Sequence, residues 1–311
     1  METSERNAER VSELFDALGG TVAEGFPAIH SPVFRTGRGT AYLRAPGVVM
    51  LAQPRTKVAG LAGFLEGFDE ELGFPAYVDD PTPLPDSSQL CKTAGQLCYA
   101  SFGPRRTTNE KAAAYFERLT SAGHGSVLEH ANFSFLLYGI SRSVTHELVR
   151  HRAGVGFSQI SQRFVSGSVL RFVERPEYQD DEEMHGLFVE RADRAAAEYR
   201  EMADRLLGRQ EGGDSMLSAD YKTDARKKVQ QTARSLLPNE TEAPMVFTGN
   251  VRALRHIVEM RADAHAESEI RNLAVRIFLC LVRADPILFG DYEIGTLPDG
   301  TFTVTTEHRK A

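Results

Sequence analysis

The sequence predicts an α+β fold in which helices dominate, and three observations carry that prediction. Phe188, Ala192, Ala195, Tyr199, Met202 and Leu206 recur every three or four positions, the stripe of a long amphipathic helix. Phe133, Phe135 and Leu137 instead alternate, as on the buried face of a strand. At 311 residues, with 41% hydrophobic and 25% charged content, the chain has material for a large core, and wholesale disorder is excluded.

Taken in order, Val11, Leu14, Phe15 and Leu18 define a first helix that Gly19-Gly20 should stop. Val48 to Leu51 reads as a strand, and residues 79–88, DDPTPLPDSS, as loop. Thr107-Thr108-Asn109-Glu110 fits a capping box ahead of a helix buried through Ala112, Tyr115, Phe116 and Leu119. Ser141 should open a helix, SRSVTHELVRHR, ending near Gly154 and Gly156. The long stripe should close at Gly208, and a further helix at Leu237-Pro238. Met245 to Phe247 reads as a strand, and a helix should begin at Asn250. The last helix carries Ile270, Leu273, Ile277 and Leu281, and a hairpin should turn at Pro298-Asp299-Gly300. Residues 1–45 read as an N-terminal extension and 46–311 as the catalytic domain; no internal repeat is present.

A net charge of −7 argues against bulk nucleic-acid binding. No apolar run reaches the ~18 residues needed to span a bilayer, and METSERNAER lacks a signal-peptide core. Cys91, Cys98 and Cys280 show no CxxC spacing, which points to a reduced, cytoplasmic protein. Leu97-Cys98-Tyr99 reads as core. His124, His130, His146 and His151 match no common zinc spacing, so no metal is expected.

The chemistry concentrates between Arg142 and Arg163, RSVTHELVRHRAGVGFSQISQR, which gathers Arg142, His146, Arg150, His151, Arg152 and Arg163. As a helix it would place His146 and Arg150 on one face beside Glu147 and His151. Cations this close repel unless they share an anion, and arginine forks suit phosphates. Ser158, Gln159, Ser161, Gln162 and Arg163 then supply groups that read a nucleobase edge. A solvated, dipole-matched helix end is the plainer alternative. In RADAHAESEIR, Arg261, His265 and Glu269 would share a helical face, with Glu267–Arg271 as an i,i+4 pair. Arg234 and Asn239 sit where a helix ends.

The blocks HGSVLEH, GISRSVTHELVRHR, SQISQRF, ARSLLPNETE and TGNVRALRHIVEMRADAHAESEIR closely resemble the flavin-dependent thymidylate synthases, the ThyX family. The resemblance runs from about Val48 to the C-terminal hairpin, with block order kept. It implies a helix-rich ThyX-like fold around a central mixed or antiparallel sheet, assembled as a homotetramer with FAD at subunit interfaces. The implied reaction converts dUMP to dTMP, with 5,10-methylenetetrahydrofolate as carbon donor and NADPH as reductant. By motif, Ser126, Glu129, Arg150, His151, Arg152, Ser158, Asn250, Arg252, His256 and His265 match FAD positions. Glu147, Arg150, Gln159, Ser161, Gln162, Arg163, Arg234 and Arg261 match nucleotide positions. Arg261, Ser161 and His124 are expected in the reaction itself, Arg261 by polarising the uracil. The partners implied are the nucleotide, the folate and further copies of the chain, with no nucleic acid and no membrane.

Two departures stand out. Eight residues separate Arg152 from Ser161, one more than the family spacing, and Phe164 replaces the usual tyrosine. If the extra residue bulges in a Gly154/Gly156 loop, the wall beside the sugar is expected to loosen and UMP to be accepted beside dUMP. C5-methylation of UMP in nucleoside-antibiotic biosynthesis is the alternative reading. A non-catalytic nucleotide- or RNA-binding module is a second.

Overall fold

Alternating apolar residues place one β-sheet at the centre of the molecule. The computed structural model describes residues 2–163, 169–212 and 222–308; Phe164 lies outside them. The chain begins with α1 (Glu2–Ala17), β1 (Gly20–Ala23), β2 (Phe26–Ile29), β3 (Val33–Arg35), β4 (Ala41–Leu43) and β5 (Gly47–Ala52). Helices α2 (Ala62–Leu65), α3 (Asp86–Cys98) and α4 (Ala112–Ser121) then precede β6 (Asn132–Tyr138). Next come α5 (Arg142–Leu148), β7 (Val155–Gln159), β8 (Arg171–Val173), α6 (Pro176–Gln179), α7 (Glu182–Glu211) and α8 (Lys222–Ala233). β9 (Met245–Asn250) runs directly into α9 (Val251–Arg261), followed by α10 (Ser268–Ala284), α11 (Pro286–Phe289), β10 (Glu293–Thr296) and β11 (Phe302–Thr305).

The central sheet has the order β1-β2-β5-β6-β9-β7 and is antiparallel throughout. Its inner face stacks Phe135 on Phe247 and Phe247 on Phe157, with centroids 6.5 and 5.4 Å apart. Helix α10, apolar on nearly every side, packs on β2 and β5 and is buried along most of its length. Val11, Leu14 and Phe15 of α1 join the same core, and β1 and β2 extend the same sheet, so residues 1–45 share the packing of the rest. A smaller mixed sheet, β3-β4-β8, is covered by α7 through Phe188, Ala192, Ala195 and Ala196. No helix among the described residues is long and apolar enough to cross a membrane.

Several local expectations are corrected by tertiary contacts. Helix α3 starts at Asp86, inside the stretch read as loop, because buried Asp285 accepts from the Ser88 amide at 2.9 Å and from both serine hydroxyls. The Thr107–Glu110 capping box does not form. Asp80 instead accepts from the Asn109 amide at 2.9 Å, and Thr108 Oγ1 is buried without a partner. Leu97, Cys98 and Tyr99 are surface residues, Tyr99 being 80% exposed, since α3 turns its other side to the core. The α7 stripe is buried only to Tyr199, and the helix continues past Gly208 to Glu211. No disulfide forms among the three cysteines.

Candidate active site

The basic segment folds differently from a continuous helix. Ser141 caps α5 by accepting from the Val144 amide, and buried Glu269 fixes the cap, accepting from the Ser141 amide at 2.7 Å and its hydroxyl at 2.8 Å. The helix ends at Leu148, so Arg150, His151 and Arg152 lie in the turn beyond it. Pairing decides this: Val155 must already face Gly249 to bring β7 against β9. Gly154 makes the reversal at φ +72°, and a Cβ there would stand 2.5 Å from the Asn250 amide. The expected Gly154/Gly156 bulge is absent. Gly156 pairs with Thr248 in unbroken register.

Arg261, the last residue of α9, closes the site. Its Nη1 donates to Glu147 Oε2 at 2.8 Å and its Nε to His151 Nε2 at 3.0 Å. An arginine is always a donor, so His151 Nε2 must be the acceptor and the ring neutral. Burial, then Arg261, then His256 pull the His151 pKa down from 6.5 to about 4. The His256 ring meets that of His151 edge-on, with centroids 5.7 Å apart. One turn earlier on α9, Arg252 pairs with Glu129 at 2.6 Å. Asn250 caps α9 by accepting from the Ala253 amide at 2.9 Å, and its own amide donates to Gly154 O at 2.9 Å. Glu129, Glu147, His151, Asn250, Arg252, His256 and Arg261 are thus held by α9 and the elements touching it.

Other expected residues stand apart. His124 and Ser126 are exposed on the turn before β6, and Arg234 is exposed after α8; among the described residues no hydrogen bond joins them to the Arg261 cluster. His265 is 96% exposed and bonds locally to Asp263. The shared face of Arg261, His265 and Glu269 does not exist, because α9 ends at Arg261 and α10 begins at Ser268. Nor does the Glu267–Arg271 pair form. Arg175 takes Glu267, while Arg271 turns to the carbonyls of Ala264 and Ala266. Ser158 and Gln159 lie on β7, with Ser158 exposed and Gln159 half-buried. Beyond the strand, Ser161 Oγ accepts from the Arg163 amide at 3.3 Å, and Gln162 Oε1 accepts from Arg142 at 3.1 Å. The Glu269–Ser141 bond escaped the sequence reading, though an acid at the head of an otherwise apolar stripe was its signal.

His151 should titrate near pH 4, not near 6.5. With the folded value below the unfolded one, its contribution to stability is complete above pH 6.5 and is lost as pH falls through 4. Ring-proton NMR measures this, and a midpoint close to 6.5 would mean that the ring is solvated and free of Arg261.

The model of the family described as "Thymidylate synthase complementing protein" matches residues 81–287. The flavin-dependent thymidylate synthase of Mycolicibacterium vanbaalenii is 42% identical over 239 residues, 76% of this chain and 92% of that one. Its counterpart from Mycobacterium leprae is 40% identical over 235 residues, 75% and 90% of the two chains. Among solved structures, PolB, a UMP/dUMP methylase from Streptomyces cacaoi bound with 5-Br dUMP, superposes with a TM-score of 0.52 at 18% identity, covering 79% of this chain and 93% of that one. The reading as a non-catalytic binding module falls with these matches. A family match across residues 81–287, with relatives 40% and 42% identical along most of their own length, makes this enzyme a member of the flavin-dependent thymidylate synthase family.

Proposed function

We propose that the protein methylates C5 of dUMP to give dTMP, using FAD, 5,10-methylenetetrahydrofolate as carbon donor and NADPH as reductant. The observation that carries this reading is Arg261, oriented by Glu147 and by a neutral His151. Uracil C5 is a weak nucleophile until electron density enters the ring. A guanidinium fixed beside N3 and its neighbouring carbonyl stabilises the deprotonated ring, and because Glu147 and His151 already hold it, little reorganisation is left for the reaction. Gln159, Ser161, Gln162, Arg163 and Arg234 are assigned to the rest of the nucleotide.

The residues present fit an anionic dinucleotide. Arg150 and Arg152 are exposed cations whose side chains have no hydrogen-bond partner among the described residues, and Glu129, opposite them in charge, is already taken by Arg252. Arg150, Arg152 and Arg252 would hold the diphosphate; Ser126, Glu129, His151, Ser158, Asn250, His256 and His265 complete the proposed FAD set. FAD bound there supplies the hydride that completes the methyl group, so no enzyme thiol is needed. That suits buried Cys91 and Cys280, whose thiols burial pushes up to about 12.

The site as one chain presents it is open, with His124, Arg150, Arg152 and Arg252 all on the surface. We assign its completion to neighbouring subunits of a homotetramer in the cytoplasm. Purified protein should therefore carry flavin in a four-chain species by light scattering. Arg152→Ala should weaken flavin retention by roughly 10- to 150-fold, the worth of one charge-assisted contact; unchanged retention would remove Arg152 from the flavin set.

The deciding assay follows dTMP formation with NADPH and methylenetetrahydrofolate, offering dUMP or UMP. The expected outcome is methylation of dUMP ahead of UMP, a reading that the unbroken register of β7 from Val155 to Gln159 supports. Turnover of UMP alone would transfer the protein to the ribonucleotide reading, and a colourless, inactive preparation would overturn the flavin reading itself.

A further inference from the structure

We infer that a cavity between α10, the tip of the β10–β11 hairpin and the end of α1 binds a small organic carboxylate. The cavity holds about 170 Å³ and is lined by Arg271 and Arg276, together with Asn272 and the apolar side chains of Leu18, Val275 and Phe302. It belongs neither to the Arg261 cluster nor to the proposed flavin surface.

Arg276 makes the case. It is 6% exposed, yet its one side-chain hydrogen bond among the described residues is from Nε to Asn272 Oδ1 at 2.9 Å. Its terminal nitrogens find no acceptor among the described residues, and no carboxylate lies within ion-pair distance. The two other buried arginines are treated differently. Arg255 grips Asp291 with both terminal nitrogens, at 2.6 and 2.7 Å, and Arg271 has Asp299 at 3.6 Å. An isolated buried cation is costly and is ordinarily paired. Burial draws the Arg276 pKa down to about 10, offset only in part by Cys280 and Tyr138 and by no carboxylate.

The chemistry of the missing partner follows from charge and shape. Arg271 faces Asp299, and at the rim Arg175 pairs with Glu177 and Glu267, so Arg276 is the lining cation left without a carboxylate among the described residues, and its single charge matches a monoanion better than a phosphate dianion. A planar carboxylate accepts from a guanidinium fork through two parallel bonds. Leu18, Val275 and Phe302 suit a hydrocarbon or aryl body. At about 170 Å³ the cavity has room for a body the size of benzoate.

Benzoate is therefore the probe, used on the flavin-loaded protein. The chain has no tryptophan, so Phe302→Trp places a single reporter on the cavity wall. Titration should change its fluorescence saturably, with a midpoint near or below ~1 mM. Arg276→Met in the same background should weaken binding at least ~10-fold, and its unliganded melting temperature should hold or rise, because an uncompensated buried charge is gone. If that variant does not fold, Arg276→Gln carries the comparison. Three results would overturn the inference: no response to benzoate, equal binding without Arg276, or tighter competition by inorganic phosphate than by benzoate. Loss of the assembled state in Arg276→Met without benzoate binding would overturn it too, by giving the guanidinium to a carboxylate of a second copy.

Discussion

Arg261→Ala should keep FAD and lose roughly 10²–10³ in kcat, the usual cost of removing one preorganised electrostatic donor. The side chain is held from two directions, by Glu147 at 2.8 Å and His151 at 3.0 Å, so its charge is aimed before substrate arrives. Arg261→Lys should rescue little, since an ammonium cannot span Glu147 and His151 while facing a ring. The substitution also carries a spectroscopic signature. Arg261 is the second-largest cause of the low His151 pKa, so the histidine should titrate closer to its ordinary 6.5 in the alanine variant. Single-turnover kinetics and flavin content make the check. A rise in KM with kcat intact would show a binding residue and not a catalytic one.

Phe247→Ala should cost about 3–5 kcal/mol of stability, the range for deleting a fully buried phenylalanine. Phe247 is wholly buried at the middle of β9 and stacks between Phe135 of β6 and Phe157 of β7. The cavity would open where three strands meet, and neighbours pinned in an antiparallel ladder have little room to collapse into it. Because β7 carries Gln159, assigned to the nucleotide, surviving protein should also bind nucleotide more weakly. Val246→Ala is the control. At 38% exposed on the opposite face, it should move stability by about 0.5 kcal/mol or less. Denaturant unfolding distinguishes the two, and similar losses at both positions would mean that β9 is not the packed centre of the sheet.

Much of the fold is legible residue by residue, because periodicity is a local property. Val11, Leu14 and Phe15 bury one face of α1, Phe133, Phe135 and Leu137 bury one face of β6, and Asn250 caps α9 as its position before a helical stripe suggests. Capping is more fragile. Thr107–Glu110 has the residues of a capping box, yet Asp80 reaches the Asn109 amide from 29 residues away. Leu97 and Tyr99 illustrate the same limit, since apolar character says nothing about which side of α3 meets the core.

The site divides along the same line. Local pattern singles out Glu147, Arg150, His151 and Arg152 as candidates, because clustered cations in an acidic chain need an anion, and the family resemblance adds Arg261 and the expectation of a flavin and a nucleotide. It read Arg142 to Gly154 as one helix, and Arg261 with His265 as one face. Both readings yield to contacts distant in sequence. Pairing of Val155 with Gly249 ends α5 at Leu148, and the bond from Arg261 to His151 spans 110 residues. Helix periodicity follows from neighbours three and four positions apart, whereas a strand's register and a cleft's shape depend on partners that only the folded chain brings within reach.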